Sequence, residues 1–477
     1  MTADCCDSGP SNGHYDLAVI GAGSAGFSAA ITAAETGAQV ALIGHGTIGG
    51  TCVNVGCVPS KALIRAAEAI HHANAASRFA GISAQARLND WNALRAQKDA
   101  LVASLRQAKY IDLLPAYNGV AYLEGKARLE NSSGVTIDGA PIDAGKIIIA
   151  TGSREFVPPI PGIADVPYLT STSAFELEAL PDSLIVIGGG YVGCEVAQMF
   201  ARAGVQVTIL FRSRLLPEAE PEIGQALATY FEAEGIAVQR VGGYESIRTT
   251  DRGIALSVAI DGATQTLEAQ SVLVSTGRKA NIDGLGLEEA GVALTPNGGV
   301  EVDDRMRTTK AGVYAAGDVT GRDLFVYMAA YGAKIAAHNA LNGDARRYDN
   351  LAMPAVVFTD PQVASVGLTE AAAKAQGIDV KTSTLSLDNV PRALAARDTR
   401  GLIKLVAESA TRKLIGAHIL APEGADSIQT AALAIKQGLT YVELAEMIFP
   451  YLTTVEGLKL AAQTFDMDVS KLSCCAG

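Results

Sequence analysis

Six of the seven cysteines in this 477-residue chain come in close pairs, Cys5-Cys6, Cys52 with Cys57, and Cys474-Cys475, while Cys194 stands alone. Paired thiols do two kinds of chemistry: two-electron redox exchange and the binding of soft cations. The run Gly49-Gly50-Thr51-Cys52-Val53-Asn54-Val55-Gly56-Cys57-Val58-Pro59-Ser60-Lys61 suits the first. A dithiol at a helix entrance beside a lysine holds a useful thiolate fraction at neutral pH. Two buried packing cysteines would not need the glycines, proline and lysine that frame this pair. Leu472-Ser473-Cys474-Cys475-Ala476-Gly477 suits the second chemistry. Adjacent cysteines pair poorly with each other because a vicinal disulfide is strained, whereas two thiolates can be offered to one soft cation. The competing reading there is a tail with incidental cysteines. Cys5-Cys6 could also capture metal, although incidental cysteines in a leader explain them as well, and Cys194 reads as a packing residue.

The elements that must position these thiols surround them. Residues 15–20 read as a strand, Gly21-Ala22-Gly23-Ser24-Ala25-Gly26 as a turn into an alanine-rich helix, and residues 39–43 as the next strand. The same grammar returns at residues 183–187, Gly188-Gly189-Gly190-Tyr191-Val192-Gly193, a helix to about Arg202, and residues 206–210. Either glycine motif alone is weak, but both follow a strand and open a helix. Gly21 and Gly188 permit the turn, Gly23 and Gly190 let backbone approach a pyrophosphate, and Gly26 and Gly193 allow close helix packing. Two such units imply two dinucleotides, FAD and a nicotinamide nucleotide. The second unit ends in Leu210-Phe211-Arg212-Ser213-Arg214, with no acidic residue for a ribose 2′-hydroxyl. Arg212 and Arg214 suit a 2′-phosphate and therefore NADPH, the competing reading being two solvated surface residues. In the first unit Ile43-Gly44-His45 stands where an acid should meet the ribose. His45 or a water could replace that contact, or the contact could simply be weaker.

Further along, residues 61–110 have helical composition, a β-rich section ends at residues 146–152, and residues 272–278 repeat its strand-then-Thr-Gly pattern. From about Leu351, strands at 355–358 and 401–406 and helices at 423–438 and 441–447 suggest an α+β domain. The expected fold is α/β, with two Rossmann-like dinucleotide-binding domains (FAD, NADPH) and a C-terminal α+β dimerisation domain. The expected boundaries are a leader at 1–13, an FAD-binding domain at 14–163 completed by 280–349, an NADPH-binding domain at 164–279, and a dimerisation domain at 350–477 that carries the Cys-Cys tail. A chain this long exceeds one core. The net charge of -12, without basic clusters, argues against nucleic acid or an anionic membrane as partner. No apolar run is clean enough to span a bilayer, so no stable membrane insertion is expected. The N-terminus lacks a secretory signal pattern, so a cytoplasmic location is expected. Thiols stay reduced there, and these cysteines are not a disulfide scaffold.

GGTCVNVGCVPSK, the two glycine-rich fingerprints and Val313-Tyr314-Ala315-Ala316-Gly317-Asp318 together resemble the pyridine nucleotide–disulfide oxidoreductases, over nearly the whole chain from Tyr15. The resemblance implies Cys57 as the thiolate beside the flavin and Cys52 as the exchanging thiol. It also implies Lys61 near the flavin and paired with Glu195, and Asp318 at the FAD ribitol. Gly50, Thr51, Ala127, Thr151, Gly152 and Gly277 would line the dinucleotide sites. Disulfide-reducing members carry a His-Pro-Thr-x-x-Glu-like motif whose histidine is the acid/base. Here the stretch reads Phe449-Pro450-Tyr451-Leu452-Thr453-Thr454-Val455-Glu456, and the six histidines, at 14, 45, 71, 72, 338 and 418, all lie elsewhere. A phenol with a pKa of about 10 is a poor general base at neutral pH, which disfavours disulfide chemistry. That stretch and the terminal cysteines resemble the branch of the family that reduces mercuric ion. The likeness implies thiol-complexed mercuric ion as substrate and a homodimer. Cys474 and Cys475 of one subunit would pass the metal to Cys52 and Cys57 of the other, with Tyr110 and the partner subunit's Tyr451 flanking it. Many relatives carry an N-terminal metal-carrier domain with a Cys-x-x-Cys motif, whereas residues 1–13 alone precede the core here. Two rivals are a disulfide reductase with an unusual acid and a non-catalytic metal-sequestering flavoprotein, and the latter would have no use for an NADPH site.

Overall fold

Parallel strands covered on both faces read as unbroken apolar runs, and Leu17-Ala18-Val19-Ile20, Val40-Ala41-Leu42-Ile43 and Ile147-Ile148-Ile149 are buried runs of this kind. The computed structural model describes residues 13–130 and 134–471. In it β1 (His14–Ile20) leads through the glycine-rich turn into α1 (Ser24–Ala34), and β2 (Val40–Gly44) follows. Next come α2 (Gly50–Asn54), α3 (Cys57–Asn74) and α4 (Trp91–Arg106), then β3 (Val120–Glu124), β4 (Ala127–Leu129), β5 (Val135–Ile137) and β6 (Ala140–Ile149). The chain divides into two units. One comprises Met1–Ser60, Ala93–Phe156 and Gly277–Asp349, and the other Lys61–Asn92, Val157–Thr276 and Asn350–Gly477.

The first unit is organised by a seven-stranded sheet in the order β3-β2-β1-β6-β5-β4, with the strand Val313–Ala315 also paired to β6. Strands β3, β2, β1 and β6 run parallel, while β4 and β5 are antiparallel. Period-two alternation sorts the apolar residues. Leu17, Val19, Val40, Leu42 and Ile148 face a core shared with α1 and the helix Val326–Asn342. Ala18, Ile20, Ala41, Ile43, Ile147 and Ile149 face a second core with Leu129, Val135, Leu285 and Leu287. Full burial of each Leu or Ile contributes about 1.5–3 kcal/mol, so both faces hold the sheet.

In the second unit, a parallel sheet places the strand Ser183–Ile187 between Gln206–Phe211 and Ser271–Val274, with Ala237–Arg240 at the edge. A three-stranded antiparallel meander, Gly243–Thr250, Gly253–Ile260 and Ala263–Ala269, accompanies it. A five-stranded antiparallel sheet follows in the order Pro354–Val357, Gln362–Gly367, Leu414–Ala421, Leu402–Glu408, Val380–Ser386. The helices Gly424–Gln437, Tyr441–Glu446 and Glu456–Gln463 pack against this sheet through Ile428, Ile435, Leu444 and Leu458. The chain is thus α/β, with an α+β C-terminal part. The helical stretch expected over 61–110 is interrupted after Asn74, whose side chain bonds both the N–H and the carbonyl of Ala86. Gly81, at φ 82°, helps turn that connection. Among the described residues no helix is long and apolar enough to cross a membrane.

Candidate active site

Gly49 and Gly50 have φ of 97° and 68°, a left-handed turn that side chains resist. Space requires glycine as well: a Cβ on Gly50 would lie 2.7 Å from Cα of Gly23, in the first glycine-rich turn. The Gly49 amide donates to the Ala22 carbonyl at 2.9 Å, which docks the cysteine segment on that turn. The Asn54 amide group donates to the Ile48 and Gly50 carbonyls, while Arg106 donates to Asn54 Oδ1 at 3.1 Å. Cys52 therefore sits, half-buried, on the short helix α2. Cys57 is exposed and is the first residue of α3, at the end where the helix dipole favours negative charge. Thr51 is exposed beside Cys52.

Tyr110 arrives from elsewhere in the sequence, on a π-helical turn, Gln107–Ile111, that ends α4. Such turns re-aim a side chain relative to a regular helix. The Phe27 ring meets the Tyr110 ring edge-on at 4.8 Å, and the Ser24 and Tyr110 hydroxyls are 3.4 Å apart. Burial pushes the Tyr110 phenol up, and the charges of Cys52 and Cys57 push it further. The structure thus brings Tyr110 within electrostatic reach of both sulfurs, as a phenol that keeps its proton.

The dinucleotide cradle of the first unit meets the steric requirements of its cofactor. Gly21 has φ 120°, and a Cβ there would lie 2.2 Å from the Ala150 carbonyl. A Cβ on Gly26 would lie 1.7 Å from the Gly21 carbonyl, so α1 could not approach the turn. The α1 N-cap is Gly23, with no side-chain cap, which leaves the first-turn amides for an anion. Asp318 follows Gly317 and accepts from Ser153 Oγ at 2.6 Å, and Arg278 Nε donates to the same Ser153 hydroxyl at 2.7 Å. The carboxylate is therefore oriented rather than loose. Thr151 donates to the Asn281 carbonyl at 2.7 Å, Gly152 has φ 72° with open space beside it, and Gly277 has φ 127°. Ala127 opens β4 opposite Ile137.

The second unit repeats the cradle. Gly188 has φ 122°, and a Cβ on Gly193 would lie 1.9 Å from the Gly188 carbonyl. Gly190 caps the helix Tyr191–Arg202 without a side-chain bond and has open space beside it. Lys61 and Glu195 form the expected pair, Nζ to Oε2 at 2.8 Å. Glu195 Oε1 also accepts from the Phe358 amide at 2.9 Å, and Lys61 Nζ lies 4.9 Å from the centre of the Phe358 ring. The two arginines differ. Arg214 spends its guanidinium on the Pro217 and Ala219 carbonyls, at 2.6 and 2.9 Å, whereas exposed Arg212 lies near enough to Tyr244 to act on its phenol. Cys194 is fully buried, its thiol is pushed up by that burial, and its sulfur lies 3.6 Å from the Gly189 carbonyl. Tyr451 is 56% exposed, and Cys5, Cys6, Cys474 and Cys475 lie outside the described residues.

Several supporting residues had no signal in the chain. Ser24 and Phe27 sit inside an ordinary glycine-rich motif, Ser153 and Arg278 only follow Thr-Gly turns and Phe358 only follows a strand, so proximity in the fold is what discloses their roles.

Residues 15–340 match the family described as pyridine nucleotide-disulphide oxidoreductase, and residues 353–462 match its dimerisation domain. A mercuric reductase of Streptomyces lividans is 49% identical over 97% of this chain and 98% of its own length. Those of Shigella flexneri and Staphylococcus aureus are 48% and 46% identical, each over 98% of this chain and over 84% and 85% of their own lengths. Among solved structures, the HOCl-induced flavoprotein disulfide reductase RclA from Escherichia coli superposes with a TM-score of 0.82 at 31% identity, covering 94% of this chain and 99% of that one. LpdA from Mycobacterium tuberculosis reaches 0.83 at 27% identity, with the same coverage.

Proposed function

The chain belongs to the pyridine nucleotide–disulphide oxidoreductase family, and on that premise we propose that it reduces mercuric ion to elemental mercury at the Cys52/Cys57 pair, with electrons from NADPH through FAD. The observation that carries this reading is the 49% identity, across 97% of the chain, to a protein named mercuric reductase. The thiol pair, with a phenol in reach and no histidine in residues 449–456, agrees with it.

FAD, when bound, supplies the two-electron path from NADPH to the dithiol. The chain's own residues do the rest. The uncapped amides at the start of α1 bind the FAD pyrophosphate, with Asp318 held by Ser153 for the ribitol. The second glycine-rich turn binds NADPH, Arg212 meets its 2′-phosphate, and Arg214 braces the loop beside it. Glu195 holds Lys61 in place. Thiolates of Cys52 and Cys57 displace two small thiolates from the incoming complex, forming two S–Hg bonds. When the metal accepts an electron pair both bonds break, the atom leaves, and the two thiolates are restored. The sum is NADPH plus mercuric ion giving NADP⁺, elemental mercury and one proton. No proton moves to a leaving thiol in the reductive step, so a phenol suffices where disulfide reductases need an imidazole. Tyr110, protonated, can donate to a sulfur and steady its charge.

The protein acts as a cytoplasmic homodimer in this reading. Its support is the dimerisation-domain match and a segment of the second unit in which Ile448 is 97% exposed and Tyr451 56% exposed. Cys474 and Cys475 pass the metal inward from the partner subunit.

The test is NADPH oxidation by the purified flavoprotein with mercuric ion and excess thiol, while volatile mercury is trapped. Metal-dependent oxidation with mercury in the trap is expected. Oxidation without volatile mercury would point to disulfide or oxidase activity, and binding of metal with no oxidation would point to sequestration.

A further inference from the structure

The first dinucleotide unit lacks the acidic side chain that ends its second strand in most folds of this type and grips a ribose hydroxyl. Gly44 stands there, the last residue of β2, and exposed His45 follows. The backbone does not require that glycine, because Gly44 is not in the left-handed region. Space does. A Cβ on Gly44 would lie 2.3 Å from the Tyr122 hydroxyl and 2.7 to 2.8 Å from the ring carbons Cε2 and Cζ. Tyr122 lies on the neighbouring strand β3, in register with Leu42, and Glu124 is in register with Gly44. The ring therefore leans along the sheet, on the face that α1 covers, into the space a side chain at position 44 would fill. The Gly125 amide, donating to the Gly44 carbonyl at 2.8 Å, continues the pairing past the strand end and holds β3 alongside. Among the described residues the Tyr122 hydroxyl makes no hydrogen bond. A half-buried phenol that displaces a side chain and leaves its own hydroxyl uncommitted is arranged to meet a ligand.

We propose that Tyr122 has taken over the ribose contact: its hydroxyl, reaching over Gly44, donates to a hydroxyl of the adenosine ribose of the dinucleotide held by the first glycine-rich turn. This rests on the reading that the turn binds FAD. Burial, and then the charge of Glu124, push the Tyr122 phenol up, so it remains a donor across the working pH range. Gly44 and Tyr122 form one unit, in which the small residue exists to admit the large one.

Flavin-free protein is titrated with FAD, and with FAD whose adenosine lacks its 2′- and 3′-hydroxyls, following flavin fluorescence. Tyr122→Phe is expected to weaken FAD binding about five- to tenfold and to leave the dideoxy analogue unchanged. Unchanged FAD affinity, or equal weakening for both ligands, overturns the proposal. Gly44→Glu alone should weaken FAD binding through the clash with the ring. Adding Tyr122→Val should bring affinity back to within a few-fold of the wild type, because the carboxylate then has both room and a ribose to meet. A double variant no better than Gly44→Glu also overturns it. Wild-type protein that binds no FAD would overturn the cofactor reading and this proposal together, whereas failure of the variants alone leaves the cofactor reading standing.

Discussion

Cys57 opens α3 and Cys52 sits on the short helix before it, so both thiols come from one rigid segment docked on the first glycine-rich turn. Replacing Cys57 with Ser removes one of two soft ligands and should lower mercury-dependent NADPH oxidation by about 10²–10³-fold. Reduction of the flavin by NADPH, followed by stopped-flow absorbance, should persist. Tyr110 keeps its proton because burial, and then negative charge on the nearby Cys52 and Cys57, oppose its ionisation. Its phenol is raised above the ordinary value of about 10, so it stays neutral through pH 6–9 and contributes no inflection there. Tyr110→Phe should therefore cost about tenfold in turnover while the shape of the pH–rate profile stays the same. An inflection below pH 9 that the Phe variant lacks would contradict this account. The cysteines were legible in the chain because thiol spacing is rare enough to be specific. The reach of Tyr110 to them was not, since a π-helical turn and the Phe27 and Ser24 contacts set it.

At the scale of elements, α3 ends near a buried ionic cluster that joins three parts of the second unit. Arg202 forks onto Glu234 with two bonds of 2.7 Å and reaches Asp360 Oδ2 at 3.1 Å. Arg400 reaches Asp360 Oδ1 at 3.1 Å, and His72 lies 3.4 Å from Oδ2. Burial pushes the Asp360 carboxyl up, but the His72 hydrogen bond and the charges of Arg202 and Arg400 overrule it and hold it well below the carboxylate range. A depressed folded-state pKa stabilises above the unfolded value, and that stability is lost as pH falls. Asp360→Asn should thus cost about 2 kcal/mol at pH 7. The difference from wild type should narrow as pH drops from about 4 toward 2, read from denaturant unfolding at several pH values. A gap that stays constant with pH would mean the charge of Asp360 is not what matters. Both strand–turn–helix units could be read from glycine spacing and apolar runs, whereas this cluster, assembled from distant stretches, left no pattern in the sequence.

For the whole molecule, the net charge of -12 favours solubility but does not specify how copies associate. Ile448 is 97% exposed and stands in a run with exposed Met447, Tyr451 and Leu452, an apolar patch of the kind that marks a contact surface. Ile448→Lys should shift the sedimenting species from dimer toward monomer at micromolar concentration and lower turnover in parallel. A stable dimer from that variant would place the contact elsewhere. Cys474→Ala with Cys475→Ala should cripple turnover when mercury arrives as a small dithiol complex and spare flavin reduction by NADPH. Unchanged turnover would remove the tail from the mechanism.

Local grammar determined what the sequence could determine. Glycines at turn positions, thiols five residues apart and buried apolar runs are constraints between near neighbours, and they specified two dinucleotide folds and a candidate redox pair. Tertiary structure decided where side chains from separate segments meet. It set the Tyr110 phenol near the thiols, turned Arg214 onto carbonyls while leaving Arg212 exposed, and laid Tyr122 over Gly44. A missing carboxylate at position 44 is visible in one dimension, but the ring that fills its place comes from a neighbouring strand. Strand pairing, which no short window of sequence encodes, is what brings the two together.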